Sequence, residues 1–196
     1  MITHLHDLLQ MRLGNGRIIN MTAKGKAYAK VNMSIDIVSK MSDGYHAMKM
    51  VMQTVSLCDE ITVICKKGKG VRVHTGLPYI PKDERNIAAK AAIAFFKQTN
   101  IAGYNTKIVI DKKIPVCAGL GGGSTDAACV LRLLNKMFET KLEKEALEAL
   151  GNTIGSDVPY CIEGGTKLAE GRGEILTDLP PIVQSHIVIC KPPFSC

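Results

Sequence analysis

The sequence predicts an α+β fold. Two kinds of pattern carry that reading. In Tyr28–Val38 and Thr106–Asp111 the apolar residues recur at every second position, as in strands. After Asn86, and again after the glycine run Gly119–Gly123, they recur at helical spacing. The two kinds interleave irregularly, and no internal repeat is present. With 196 residues, 46% of them hydrophobic, the chain has material for one packed domain or slightly more.

The elements follow in order. Residues 1–24 are polar and dotted with methionine and glycine. They are expected to be a leader outside the fold, with a short amphipathic helix around Leu5 to Leu13 as the alternative, and the domain then spans 25–196. Over Tyr28–Val38, Val31, Met33, Ile35 and Ile37 share one face, while Lys30, Asn32, Ser34 and Asp36 share the other, so a half-buried strand with a polar face is expected. A turn follows at Asp43-Gly44. Ile61–Cys65 and Val71–Thr75 read as a hairpin around the solvated tip Lys66-Lys67-Gly68-Lys69-Gly70. Asp83 or Asn86 can cap a helix running to about Gln98, with Ile87, Ala91, Ala94 and Phe95 inward. Thr106–Asp111 is the next strand. Beyond the glycines, Ala127, Ala128, Val130, Leu131, Leu134 and Phe138 form a helical stripe, and a second helix is expected from about Glu143 to Asn152. A strand pair around Cys161 to Ala169, a turn at Gly171 and Gly173, and a last apolar run from His186 to Cys190 complete the chain.

Composition narrows the functions. The net charge of +7 suits a polyanionic partner such as nucleic acid, a membrane surface or a phosphorylated small molecule. The lysines and arginines are dispersed, aromatics make up 5% and Trp is absent, so a stacking platform for single strands is poorly supplied and nucleic acid is not expected. The seven cysteines show no Cys-x-x-Cys pair, which fits a reduced, cytoplasmic chain better than a disulfide framework or a zinc site. His4-x-His6 alone is no metal site. No apolar run approaches ~18 residues, so no helix is expected to span a membrane.

The stretch Pro115–Ala128, "PVCAGLGGGSTDAA", holds four glycines within Gly119–Gly123. A bare glycine run is often a linker. This one is squeezed between a strand and an apolar helix, and Ser124, Thr125 and Asp126 are residue types that cap a helix start. A helix N-terminus leaves N–H groups unsatisfied and carries partial positive charge, and glycines let a phosphate reach the backbone. The run fails both common phosphate loops: no Lys follows Gly123, and the sixth place from Gly119 is Ser124.

"PVCAGLGGGSTDAA" resembles the phosphate loop of the GHMP kinases, a superfamily named for galactokinase, homoserine, mevalonate and phosphomevalonate kinases. "AYAKVNMSIDI" (27–37), "SDGYHAM" (42–48) and "GSDVPYCIEGGTKLAEGRGEIL" (155–176) extend the resemblance over roughly Lys26 to the end. Within the superfamily the match is closer to the kinases of a cytidine diphosphate-linked methylerythritol, which serve non-mevalonate isoprenoid biosynthesis. The resemblance implies the GHMP kinase N-terminal domain, a ribosomal protein S5 domain 2-like fold whose family contains a left-handed β-α-β crossover. It also implies ATP, Mg²⁺ and phosphorylation of the acceptor's 2-hydroxyl.

The resemblance likewise implies roles for residues. Alone, Asp157 reads as a helix cap and Lys30 as a solvated strand lysine; by resemblance they are the catalytic base and its cationic partner. Pro115, Val116, Cys117, Ala118, Gly119, Leu120, Gly121, Gly122, Gly123, Ser124 and Thr125 become the ATP-binding loop, with Ser124 or Thr125 reaching Mg²⁺ and Asp126 a first-turn dipole partner. Asn86 becomes the nucleotide-side asparagine as well as an N-cap. Asn32, Tyr45 and His46 become substrate-binding, the last two at the cytidine. Similar enzymes continue past "KPPFSC" into a second domain with another glycine-rich motif, so the chain is expected to be the N-terminal domain alone. The alternatives are another GHMP small-molecule kinase, or an inactive or RNA-binding S5-like module.

Overall fold

The computed structural model describes residues 8–14, 17–40, 42, 44 and 46–192. Its frame is a long antiparallel pair, β2 (Arg17–Lys40) and β3 (His46–Lys67), joined from Asn20↔Lys66 to Lys40↔His46. β1 (Leu8–Gly14) pairs antiparallel with the first half of β2, Leu8 opposite Lys24. The domain therefore starts earlier than residue 25. Met21 and Ala23 lie in the core, and the period-two face that buries them continues through Ala27. The helix considered for Leu5 to Leu13 is a strand from Leu8 onward.

β5 (Tyr104–Asp111) lies between β3 and β4 (Gly70–Thr75), antiparallel to β3 and parallel to β4. The expected hairpin of Ile61–Cys65 with Val71–Thr75 is thus absent. Both segments are strands, but Thr106–Asp111 takes the edge each would have offered the other. The chain instead crosses from β4 to β5 through α1 (Ile87–Thr99), as a parallel pair requires. Of the lysine-rich tip 66–70, Lys66 and Lys67 end β3, Gly70 starts β4, and the bend between them is tied down where Gly68 N–H donates to Gly103 O at 2.9 Å.

Asn86 caps α1 by accepting the Ala88 N–H at 2.9 Å. α2 (Gly122–Met137) is buried over most of its circumference, from Thr125 through Leu134, and so forms the centre of the helical layer. Phe95, Phe96, Phe138 and Tyr104 close one end, in edge-to-face contacts 4.9–5.9 Å apart and a tilted Phe95–Phe138 contact at 6.4 Å. α3 (Lys144–Asn152) follows, and then α4 (Val158–Glu163). Cys161 lies in α4, not in a strand. The expected strand pair is displaced to β6 (Thr166–Gly171) and β7 (Ile175–Asp178), joined at Gly171–Gly173, with β6 pairing on Met48–Gln53 of β3. The run His186–Cys190 forms no regular element, and Val188 is 94% exposed. No described helix is long and apolar enough to cross a membrane.

β2 departs from expectation where it matters most. Its pairing with β3 slips between Tyr28 and Lys30, between Asn32 and Ser34, and between Ile37 and Ser39. Such bulges break the alternation of faces. Lys30, expected on a solvated face, is 5% exposed, whereas Met33, Ile35 and Ile37, expected inside, are 55%, 49% and 66% exposed.

Candidate active site

The slip at Tyr28/Lys30 turns the Lys30 side chain inward beneath the glycine loop. Its backbone N–H donates to Leu120 O at 3.0 Å, tying strand to loop. Its Nζ donates to Asn32 Oδ1 at 3.2 Å and stands 3.4 Å from Asp157 Oδ2. Asp157 occupies the position before α4, yet its side chain makes no capping bond. Its carboxylate faces Lys30 instead and stays 31% exposed. One turn further, burial pushes the Cys161 thiol up to about 12, which leaves it unreactive.

The loop is held by its conformation and by one anchor. Cys117, Gly119 and Gly121 adopt φ of 55°, 70° and 67°. Leu120 packs with Ala29, Val55 and Ile114 in a small buried cluster under the loop. α2 starts inside the glycine run: Gly121 is its N-cap, and Gly121 O accepts the Thr125 N–H at 2.8 Å. Ser124, Thr125 and Asp126 are thus helical residues rather than caps, because left-handed backbone at Gly121 already starts the helix. Ser124 lines the cleft in front of the loop, while Thr125 is buried. Asp126 is not a first-turn partner of the helix dipole. It lies in the second turn, 3% exposed, and accepts from Lys112 Nζ at 2.8 Å.

That cleft holds about 550 Å³ and runs from Tyr79–Pro81, Asn86 and Ile87 across to Pro115–Ser124. Asn86 lines it with both amide atoms engaged, because its Nδ2 also donates to Pro81 O at 2.8 Å. A second cleft, of about 710 Å³, is lined by His46, Met48, Asn152, Ser156, Arg172 and Glu174. Tyr45, paired with His46 by sequence, lies outside the described residues. A Cβ on Gly121 would touch Lys30 Cγ at 3.0 Å, and one on Gly173 would lie 3.9 Å from Asp157 Oδ1. The Lys30–Asp157 pair therefore stands between the loop and the β6–β7 turn that borders the second cleft.

Residues 86–165 match the family described as GHMP kinases N terminal domain. The chain carries a GHMP kinase N-terminal domain. This GHMP kinase domain is 51% identical over 172 residues to the 4-diphosphocytidyl-2-C-methyl-D-erythritol kinase of Clostridium beijerinckii, a match covering 88% of this chain and 61% of that protein. The like-named kinase of Clostridium perfringens is 47% identical, with 88% and 59% covered. The chain thus spans about 60% of the length of the curated relatives it matches. A solved 4-(cytidine 5'-diphospho)-2C-methyl-D-erythritol kinase shares the fold with a TM-score of 0.65 and 34% identity, over 80% of this chain and 55% of that one. The mevalonate kinase of Methanococcus jannaschii, at 13% identity and a TM-score of 0.60, shares the fold alone.

The sequence reading missed Lys112 and Asp59 behind the loop, and Asn152, Ser156, Arg172 and Glu174 around the second cleft. Ser156, Arg172 and Glu174 fall within the stretch 155–176 that carries part of the resemblance, but nothing there gives them a role, and no motif marks Lys112, Asp59 or Asn152. Strand pairing and the turn after β6 bring them to the site.

Proposed function

We propose that this domain is the ATP-binding part of a kinase that phosphorylates the 2-hydroxyl of 4-diphosphocytidyl-2-C-methyl-D-erythritol. The observation that carries the proposal is the 3.4 Å pair of Lys30 Nζ and Asp157 Oδ2 beneath a glycine loop at a helix N-terminus. Phosphoryl transfer asks mainly for positioning and charge neutralisation. The loop's N–H groups and the start of α2 receive the phosphates of ATP. Asn86 stands at the nucleoside end of the cleft, and His46 lines the acceptor's.

Asp157 takes the proton of the acceptor hydroxyl as its oxygen bonds to the γ-phosphorus, and the bond from that phosphorus to the ADP oxygen breaks. Lys30 neutralises charge on the forming alkoxide and the moving phosphoryl, and Asn32 fixes its ammonium. Among the described residues no cluster of His, Cys, Asp and Glu could hold a metal. Mg²⁺ binds mostly through water and nucleotide phosphates. Ser124 is the loop hydroxyl placed to reach it, and the ion would supply further charge neutralisation.

The test is an acceptor panel with ATP. Phosphorylation of the cytidine diphosphate-linked methylerythritol, with homoserine and mevalonate left untouched, is the expected result. Transfer to either of those instead would show that the His46 cleft was misread.

A further inference from the structure

Beside the phosphate loop, with Lys112 and Asp126 also lining the nucleotide cleft, lies a buried cluster to which the proposed chemistry gives no role. Lys112 Nζ donates to Asp59 Oδ2 at 2.5 Å and to Asp126 Oδ2 at 2.8 Å. The three side chains are 6%, 0% and 5% exposed. The other oxygen of Asp59 accepts the backbone N–H groups of Lys113 and Ile114 at 2.5 and 2.8 Å. Asp126 Oδ1 is buried with no hydrogen-bond partner.

The placement of these residues brackets the loop. Loop residues 115–125 begin directly after Ile114 and end directly before Asp126. Its start is held by Asp59 of β3, its end by Lys112, and Lys112 joins the two. Lys112 Nζ also lies 2.9 Å from where a Cβ on Gly122 would sit, against the inner side of the loop. A buried ammonium with two carboxyls is a poor device for stability, because its desolvation offsets the attraction. It does fix geometry.

We propose that Lys112 is a positioning residue for the phosphate loop. It sets the separation of the loop's two ends so that the N–H groups of Gly119–Gly123 and the first turn of α2 converge on one polyphosphate. The proposal rests on the kinase reading for the identity of that anion. Burial, reinforced by the Asp59 carboxylate and opposed by Lys112, raises Asp126 from 3.8 to about 8. The charged groups facing Asp126 are Lys112 at the end of β5 and Asp59 on β3. The folded chain keeps a proton that the unfolded chain releases near 3.8, so this stabilisation is full below that pH and is lost as pH rises to about 8.

The test compares the chain with Lys112→Met and with Lys112→Met/Asp126→Leu, which removes one of the two acids left facing each other. Folding is checked by thermal melting, and either folded variant decides. The probes are calorimetric affinity for adenylyl imidodiphosphate and ¹⁵N relaxation of the ligand-free glycine amides. The expected result is affinity weaker by about tenfold or more, with order parameters of Gly119–Gly123 falling from about 0.85 to below about 0.6. A folded variant with wild-type affinity and rigid glycine amides overturns the proposal. Failure of the wild-type chain to bind the analogue counts against the kinase reading instead, and the ligand-free relaxation data still decide the role of Lys112.

Discussion

Asp157→Asn is expected to lower turnover by about 10²–10⁴-fold, the range for loss of a general base. The substitution removes the proton acceptor and little else. Asp157 makes no capping bond, so α4 loses no hydrogen bond, and asparagine still offers an oxygen to Lys30 Nζ. Stability should fall by no more than about 3 kcal/mol, the upper end for a hydrogen bond to a charged group. Because proton removal belongs to the chemical step, kcat should carry the loss while the KM for ATP changes little. Steady-state kinetics beside a thermal melt separates the two effects. Near-normal kcat would remove Asp157 from the mechanism.

Gly121→Val is expected to be nearly as damaging, and for a different reason. Gly121 is the N-cap of α2 at φ 67°, where a side chain with a Cβ carries strain of about 1–2 kcal/mol. That Cβ would also meet Lys30 Cγ at 3.0 Å and Cε at 3.4 Å. The new side chain therefore pushes the ammonium away from Asp157 while disturbing the helix start that receives phosphate. A displacement of about 1 Å in such a site can cost about 10²-fold in rate. Gly119→Val provides the control. Its φ of 70° brings the same strain, but a Cβ there meets nothing within 4 Å. Gly121→Val should lose much more of both kcat and nucleotide affinity than Gly119→Val. Equal losses would mean that strain, not the contact with Lys30, sets the requirement for glycine.

Local features of this domain are legible in its sequence, and long-range ones are not. The cap at Asn86, the stripe of α2 and the alternation of β5 depend on neighbours within a few residues, and each forms as its pattern suggests. β4 shows where that logic ends. Its alternation marks a strand, but nothing in Val71–Thr75 indicates that β5 will separate it from β3. In β2 the alternation itself misleads. A bulge after Tyr28 shifts the faces, so that a lysine that reads as solvated becomes buried beside a carboxylate, and from Met33 to Lys40 both faces are exposed. Lys30 and Asp157 were named through resemblance, not periodicity. The Lys112–Asp59–Asp126 cluster was legible neither way, because 53 residues separate Lys112 from Asp59 and only the β3–β5 pairing brings them together.

The central claim is that the glycine loop and the Lys30–Asp157 pair form one nucleotide site. Titration of the ¹⁵N-labelled chain with adenylyl imidodiphosphate and Mg²⁺ tests it most directly. Saturable shifts are expected at the amides of Gly119–Ser124, Lys30 and the Asn86–Ala88 turn. Shifts confined instead to the separate cleft lined by Arg132, Lys136, Lys141 and Lys144, with the loop amides unmoved, would contradict it.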